Sequence, residues 1–362
     1  HEQWHAMTEG LDGRPWQERG KAVQYVHYCV GRSALCEEVV MTVLNLGLIG
    51  CGALGRVHAG CVAQLTGARF IAYADIVEAA AQSLLQEFGG EYTTSDVGRL
   101  LADPRLDAVY ICTRHDSHAP LAIAAAQAGK HILIEKPLAL TIAECEAVAE
   151  AVARHGVTLM PAFKMRFYPL VQQAHAFIPQ PQVLVGQMMD NRWPDGLWAQ
   201  DPVQGGANVH SQGCHTTDLL RYFAGSEPEQ VWAGGGTLTH PGHPCIDQCV
   251  ATIRFAGGRT AAWIQGDAAM GQFSSKFFFE LFGAGRSVQL YDRLRKATFF
   301  DGERTWTEER ADEEGFLLEN REFIAALQEG RAPALSAYDG LQATRIVLAA
   351  DRAIRTGEVQ TL

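Results

Sequence analysis

Three short stretches of this chain carry residue types that do chemistry at spacings that chemistry requires. The first reads Gly50-Cys51-Gly52-Ala53-Leu54-Gly55. It follows an apolar run and opens a segment of helical spacing, which is the context that gives a Gly-x-Gly-x-x-Gly pattern meaning. Gly50 would make the tight turn, Gly52 would let backbone approach a pyrophosphate, and Gly55 would let the helix pack on the strand. The amides at the helix start would then meet the phosphate charge. Asp75 ends the next strand, 20 residues after Gly55. A carboxylate there binds ribose hydroxyls and repels a 2′-phosphate, which favours NAD over NADP. The competing role for Asp75 is a cap for the helix that follows.

The second stretch is Glu135-Lys136-Pro137, at the end of a later strand. Ligands of open α/β sheets sit at the carboxyl ends of strands. Pro137 excludes the helical region for Lys136 and forces an extended bend. A lysine so placed can polarise a hydroxyl or carbonyl beside a nicotinamide. The third stretch holds His210 and His215 on one helix, together with Ser211. A spacing of five keeps the two histidines off a common face, and no carboxylate pair stands near them to complete a metal site. His240, His243 and Cys245 share a Pro/Gly loop without a standard ligand spacing, and no metal is expected.

The elements that position these residues follow from periodicity. From 43 to 160, short apolar strands alternate with helices: strands near 43–49, 70–74, 92–94, 108–112, 131–134 and 157–160, and helices near 53–65, 77–88, 96–102, 116–128 and 141–155. Such a pattern means a parallel sheet covered on both faces. Beyond Pro161 helices near 168–177 and 211–224 frame a loop at 192–206 rich in Trp, Pro, Asp and Gly. Strand-like runs follow between 229 and 300, and helices near 313–328 and 338–356 end the chain. Strands joined by short turns imply a mostly antiparallel sheet. The expected fold is an α/β Rossmann dinucleotide-binding domain over 41–162, followed by an α+β domain with an open sheet over 163–362. Residues 1–40 are expected to lie outside this fold; the alternative is an extra helix over about 16–38.

With these motifs in place, the chain resembles the Gfo/Idh/MocA oxidoreductase family over about 41–362. The likeness rests on Gly47 to His58, on Ala128 to Leu138 with its Glu-Lys-Pro core, and on Arg166-Phe167-Tyr168-Pro169. It also rests on Gly213-x-His215-x-x-Asp218-Leu219 and on Ala337-Tyr338-Asp339-Gly340. The resemblance implies NAD(P)-dependent oxidation or reduction at a hydroxyl of a sugar, polyol or related compound. It implies Lys136 and His215 at the reacting centre, and Thr113, His118 and Glu135 flanking the dinucleotide. It further implies dimers or tetramers built on the open face of the C-terminal sheet. Two positions depart from the family's pattern: Ser211 stands where an Asp commonly precedes the active-site His by one turn, and Lys164 where an Asn is usual.

On this basis the chain is expected to be an NAD-dependent dehydrogenase of a secondary alcohol. Arg166, Trp193, Trp198 and Arg192 are candidates for substrate contact, and Lys164 for holding a substrate carboxylate, as on a sugar acid. Without an Asp beside it, His215 is expected to stay neutral. Two other activities fit the same residues: an NAD-assisted glycoside hydrolase, and a regulator that senses NAD or a sugar without turnover. Composition narrows the rest. Among 362 residues the net charge is −11, with no basic stripe, which argues against nucleic acid as partner. No run of 18 apolar residues spans a membrane, and no secretory signal is recognisable. Nine scattered cysteines without a Cys-x-x-Cys pair suggest thiols in a reducing cytoplasm.

Overall fold

Alternating valines and tyrosines at 23–28 have the residue types that favour strands, and strand is what they form. β1 (Val23–Tyr28) pairs antiparallel with β2 (Glu37–Thr42), Val23 opposite Thr42, in a two-stranded sheet of its own. The helix considered for 16–38 is therefore absent from its described portion. The computed structural model describes residues 23–28, 37–269, 275–311 and 314–362, with side chains from Val43 onward.

The alternating stretch folds as six parallel strands: β3 (Leu44–Ile49), β4 (Ala68–Ala74), β5 (Tyr92–Thr94), β6 (Ala108–Ile111), β7 (His131–Ile134) and β8 (Leu159–Pro161). Their order is β5-β4-β3-β6-β7-β8, with a reversal of direction beside β3. That reversal makes the crevice where dinucleotides bind in doubly wound sheets. The crossovers are α1 (Ala53–Val62), α2 (Glu78–Phe88), α3 (Val97–Leu101), α4 (His118–Gln127) and α5 (Ile142–His155). The two-residue period of strands splits the core: Leu46, Leu48, Tyr110 and Leu133 pack on one face, and Ile49, Val109, Ile111, Ile132 and Ile134 on the other. α5 starts with a reciprocal cap, in which Thr141 Oγ1 accepts from Glu144 N at 3.2 Å and Glu144 Oε2 accepts from Thr141 N at 3.0 Å. Such caps contribute about 1 kcal/mol.

α6 (Pro169–Phe177) leads into a nine-stranded sheet. Its strands are β9 (Val183–Asn191), β10 (Pro228–Gly236), β11 (Gln248–Phe255), β12 (Thr260–Ala269), β13 (Phe277–Gly283), β14 (Arg286–Tyr291), β15 (Lys296–Phe300), β16 (Thr305–Glu309) and β17 (Gln360–Thr361). The order is β16-β15-β14-β13-β9-β12-β11-β10-β17, antiparallel throughout except for the parallel pair β9–β12. Strands β16 and β17, at the two edges, lack the apolar alternation that identifies the others.

α7 (Ala207–Ala224), α8 (Gly315–Glu329) and α9 (Ala337–Thr356) complete the fold. α7 lies close against the sheet: a Cβ on Gly213 would come within 2.7 Å of Trp263. α7 begins four residues before its expected start, because Gly206 and Ala207, both at positive φ, swing the chain into the helix from within a loop-like sequence. α8 packs on the first domain through Phe323, edge-on to Tyr110 at 5.7 Å, so one core runs through both domains.

Candidate active site

The glycine turn is built as its spacing requires. Gly50 has φ +92° and touches the backbone of Cys112, where a Cβ would come within 2.6 Å. A Cβ on Gly55 would lie 2.1 Å from the Gly50 carbonyl, so only glycine lets α1 pack there. Gly52, by contrast, faces open space, and with Ala53 and Leu54 it forms an exposed lip. No side chain caps α1 and no acidic residue sits in its first turn, which leaves those amides suited to a phosphate. Asp75 is latched to this turn: one carboxylate oxygen accepts from Cys51 N at 2.7 Å and the other from Val77 N at 2.8 Å. α2 is capped at Val77 without a side-chain bond, so Asp75 does not act as its N-cap. Each carboxylate oxygen retains capacity for a further donor, as ribose binding would need. Burial, reinforced by the Asp75 charge, pushes the Cys51 thiol up to about 12, so it is an inert neighbour.

At the carboxyl end of β7 the Lys136–Pro137 peptide is cis. Glu135 and Lys136 are both buried. Glu135 faces inward, with one oxygen 3.3 Å from His58 Nε2 and the other accepting from Lys136 N at 3.1 Å. His58 Nδ1 in turn meets the Asn320 amide of α8 at 3.0 Å. Burial pulls the Glu135 carboxyl upward, but His58 and the Lys136 charge outweigh it and hold the group below its usual value. His118 is fully buried, with Nδ1 2.7 Å from the Pro137 carbonyl and Nε2 3.2 Å from that of Thr113. Burial lowers its pKa despite these carbonyls. A neutral ring donates through one nitrogen, and the shorter contact, to Pro137, claims it. Both side chains are turned into the protein, where they tie the Lys136 bend to α1 and to the loop after β6. Half-buried Thr113 lies in that loop and accepts from Ser117 Oγ at 2.7 Å. The bend is also held from the second domain, because Gly340 of α9 packs directly on Leu138.

Lys136 reaches across to α7, where Nζ donates to the main-chain oxygen of Ser211 at 3.3 Å. His215 lies one turn further along α7, buried, with Nδ1 lacking any hydrogen-bond partner. Burial, followed by the charges of Lys136, Lys164 and Lys276, holds its pKa well below 6.5, in line with the neutral imidazole expected without an Asp. His210 points elsewhere, 3.5 Å from Asp351 of α9, as the spacing of five requires.

The other expected substrate residues divide. The Arg166 guanidinium grips Asp218 at 2.6 and 2.9 Å and Asp339 at 3.1 Å, and it packs on the Tyr222 ring. It joins α7 to α9 through Nε and Nη2. Lys164 is half-buried with its ammonium 3.8 Å above the Phe316 ring. Trp193 is half-buried, its indole donating to Asp190 at 3.2 Å beside the Lys276–Asp190 pair. Trp198 packs edge-on to His115 at 4.9 Å, which places the 192–206 loop against the cofactor-side loop. His115 Nδ1 lies 3.1 Å from the Gly205 carbonyl. Arg192 is exposed and paired with Asp195 at 2.6 Å in its own loop.

Several residues escaped the sequence reading. Asn320 could not be foreseen next to His58, 262 positions away. Asp267 had a signal: the inward positions of β12 are Ala261, Trp263, Gln265 and Asp267, and a carboxylate closing that series is out of keeping with a packed face. His240 is engaged by Asp267 at 2.7 Å and Asp195 at 2.9 Å. Among the described residues no group of three or more His, Cys, Asp or Glu side chains is arranged to hold a metal.

A dinucleotide-binding crevice, a buried lysine at the end of β7 and a buried histidine on the second domain's helix it reaches define an oxidoreductase that works with a nicotinamide cofactor. Residues 44–163 match the model of an oxidoreductase family with an NAD-binding Rossmann fold, and 178–288 match the GFO/IDH/MocA C-terminal domain. The chain belongs to the Gfo/Idh/MocA family of oxidoreductases. Myo-inositol 2-dehydrogenase of Thermotoga maritima is 27% identical over 332 residues, covering 86% of this chain and 96% of that protein. scyllo-Inositol 2-dehydrogenase (NAD(+)) of Bacillus subtilis is 27% identical, covering 87% and 95%. The structure of levoglucosan dehydrogenase in complex with NADH and levoglucosan matches with a TM-score of 0.81 at 26% identity, covering 88% of this chain and 99% of that one.

Proposed function

We propose that the chain is an NAD-dependent dehydrogenase acting on a secondary alcohol of a sugar, polyol or sugar acid. The observation that carries this reading is that buried Lys136 reaches α7 at the Ser211 carbonyl, one turn before the buried His215. Lys136 donates to the substrate oxygen and stabilises the negative charge that grows there as the C–H bond breaks. His215, neutral and with Nδ1 unpartnered, takes the hydroxyl proton. NAD bound at the glycine turn supplies the acceptor for the hydrogen leaving the carbon. Ser211 offers its carbonyl to Lys136 and stands outside the proton path, since a hydroxyl has little basicity at neutral pH.

Asp75 supports NAD over NADP, because its charge stands where a 2′-phosphate would come. The inositol and levoglucosan dehydrogenases among the relatives support a ring bearing several hydroxyls. Exposed Trp232, Leu238 and Val250 on the uncovered sheet face support a homodimer or homotetramer through that surface. The test is a panel of sugars, polyols and sugar acids with NAD, following NADH absorbance. Formation of NADH with one class supports the reading, and none with any class overturns it.

A further inference from the structure

The substrate side of the site holds polar atoms that no protein group satisfies. The outer end of the Gln200 amide (Oε1), Asn208 Nδ2, His215 Nδ1 and Asp267 Oδ1 are all buried without a hydrogen-bond partner. Native proteins leave few such groups, and each asks for an explanation. Here they converge. Asn208 and His215 are seven residues apart on α7, so they share a face, and Ser211 between them holds the Lys136 ammonium. Asn208 Oδ1 accepts from Gln265 Nε2 at 2.7 Å. Asp267 lies two residues beyond Gln265 on the same face of β12, roughly 6.6 Å along the strand. Gln200 and Asp267 meet on one atom, His240 Nε2, at 2.9 and 2.7 Å.

Asp267 is fixed in a particular attitude. Its Oδ2 takes His240 and also Trp193 N at 3.0 Å, while Asp195 backs the far side of the imidazole at 2.9 Å. Burial lowers His240, and its bonds to the two aspartates overcome that and raise it. Oδ1 is left as the free acceptor, on a carboxylate with no exposure to solvent.

We propose that Asp267, Asn208 and Gln200 form the wall that recognises the non-reacting hydroxyls of the substrate, and that this wall selects neutral compounds with neighbouring hydroxyls over sugar acids. The inference rests on the dehydrogenase reading and names its substrate class. A hydroxyl both donates and accepts, so it satisfies Asp267 Oδ1 as donor and Asn208 Nδ2 as acceptor. A carboxylate in the same place leaves Oδ1 unsatisfied and faces its charge. The wall also explains why His240 is buried and polar beside Asp267: with Asp195 behind it, it holds Asp267 in aim.

The experiment compares the full chain with Asp267→Asn and Asn208→Ala on myo-inositol, D-xylose, levoglucosan and D-glucuronate. Turnover is followed as NADH, and binding to the NADH complex by calorimetry. The wild type should prefer a neutral compound. Asp267→Asn should raise KM for it tenfold or more, with kcat within threefold and KM for NAD unchanged. Asn208→Ala should shift KM in the same direction, and it carries the test if Asp267→Asn does not fold. A wild type that prefers glucuronate, or variants whose KM and binding match the wild type, would overturn this inference alone. Absence of turnover and of binding across the panel would remove the dehydrogenase reading, and this inference with it.

Discussion

The cofactor side and the substrate side of the crevice treat polar groups in opposite ways. Asp75 and Glu135 each have both carboxylate oxygens engaged by protein, at 2.7–3.3 Å, and His118 donates to the Pro137 carbonyl at 2.7 Å. Across the crevice, Asn208, His215 and Asp267 each keep one atom unpaired. A group engaged at both ends fixes a loop; a buried group left open costs about 1–3 kcal/mol until a ligand meets it. The first side is built as a frame for the Lys136 bend, and the second keeps its hydrogen-bonding capacity for the substrate. Glu319 departs from this on the frame side, fully buried behind Glu135 with both oxygens unpartnered, as are the buried hydroxyls of Tyr73 and Tyr110.

The comparison breaks first at Lys136. Lys136→Met should lower turnover by about two orders of magnitude or more, as for the loss of a charged stabiliser, while calorimetry shows NAD bound as before. Near-normal activity would remove Lys136 from the chemistry. His215→Ala should cost roughly 10²-fold in kcat/KM and Ser211→Ala only a few-fold; equal losses would make Ser211 a relay. The pH profile sharpens this. Burial and three lysines lower His215, and the neutral form is the active base, so the acid limb of kcat/KM should lie below about 6.5.

On the frame side, Asp75→Ala should weaken NAD about tenfold, on the order of one lost charged hydrogen bond, and leave NADP equal or better. A wild type stabilised more by NADP than by NAD in thermal shift would refute the ribose role. Glu319 tests its own exception. Burial, then the Glu135 charge, raises its pKa well above 4.5, against a smaller opposing pull from Lys164. Above 4.5 the unfolded chain gives up a proton that the folded chain keeps, so Glu319 makes stability fall as pH rises. Denaturation from pH 5 to 8 should show a shallower fall for Glu319→Gln than for the wild type; parallel curves would place a charged carboxylate there. The smallest effect is expected from deletion of residues 1–40, which should change the melting temperature by only a few degrees, because β1 and β2 pair with each other and with neither larger sheet. A large drop would show that this segment belongs to the fold.

Much of the frame was legible beforehand because its chemistry is local. A turn that needs positive φ at Gly50 and no Cβ at Gly55 announces itself within six residues, and strands buried on both faces read as apolar runs. Lys136 was marked by its bend and His215 by family likeness. Ser211 was legible as a substitution but not as the carbonyl that accepts from the lysine, since main-chain contacts leave no trace in residue type. The ion pairs of Arg166 were not legible for a related reason: an arginine's type says that it needs anions, not that Asp218 and Asp339 provide them.

The sequence by itself determined the parallel sheet, the glycine turn, the carboxylate at Asp75 and the bend at Lys136, because periodicity and backbone sterics act over a few residues. Tertiary structure alone decided which polar atoms are used up and which remain open. Asn320 reaches His58 across 262 residues, and Gln200, Asn208, His240 and Asp267 come together from the 192–206 loop, α7, the loop after β10, and β12. Hydrogen-bond satisfaction depends on distances of about 3 Å between groups far apart in the chain, and only packing of the two domains sets those distances.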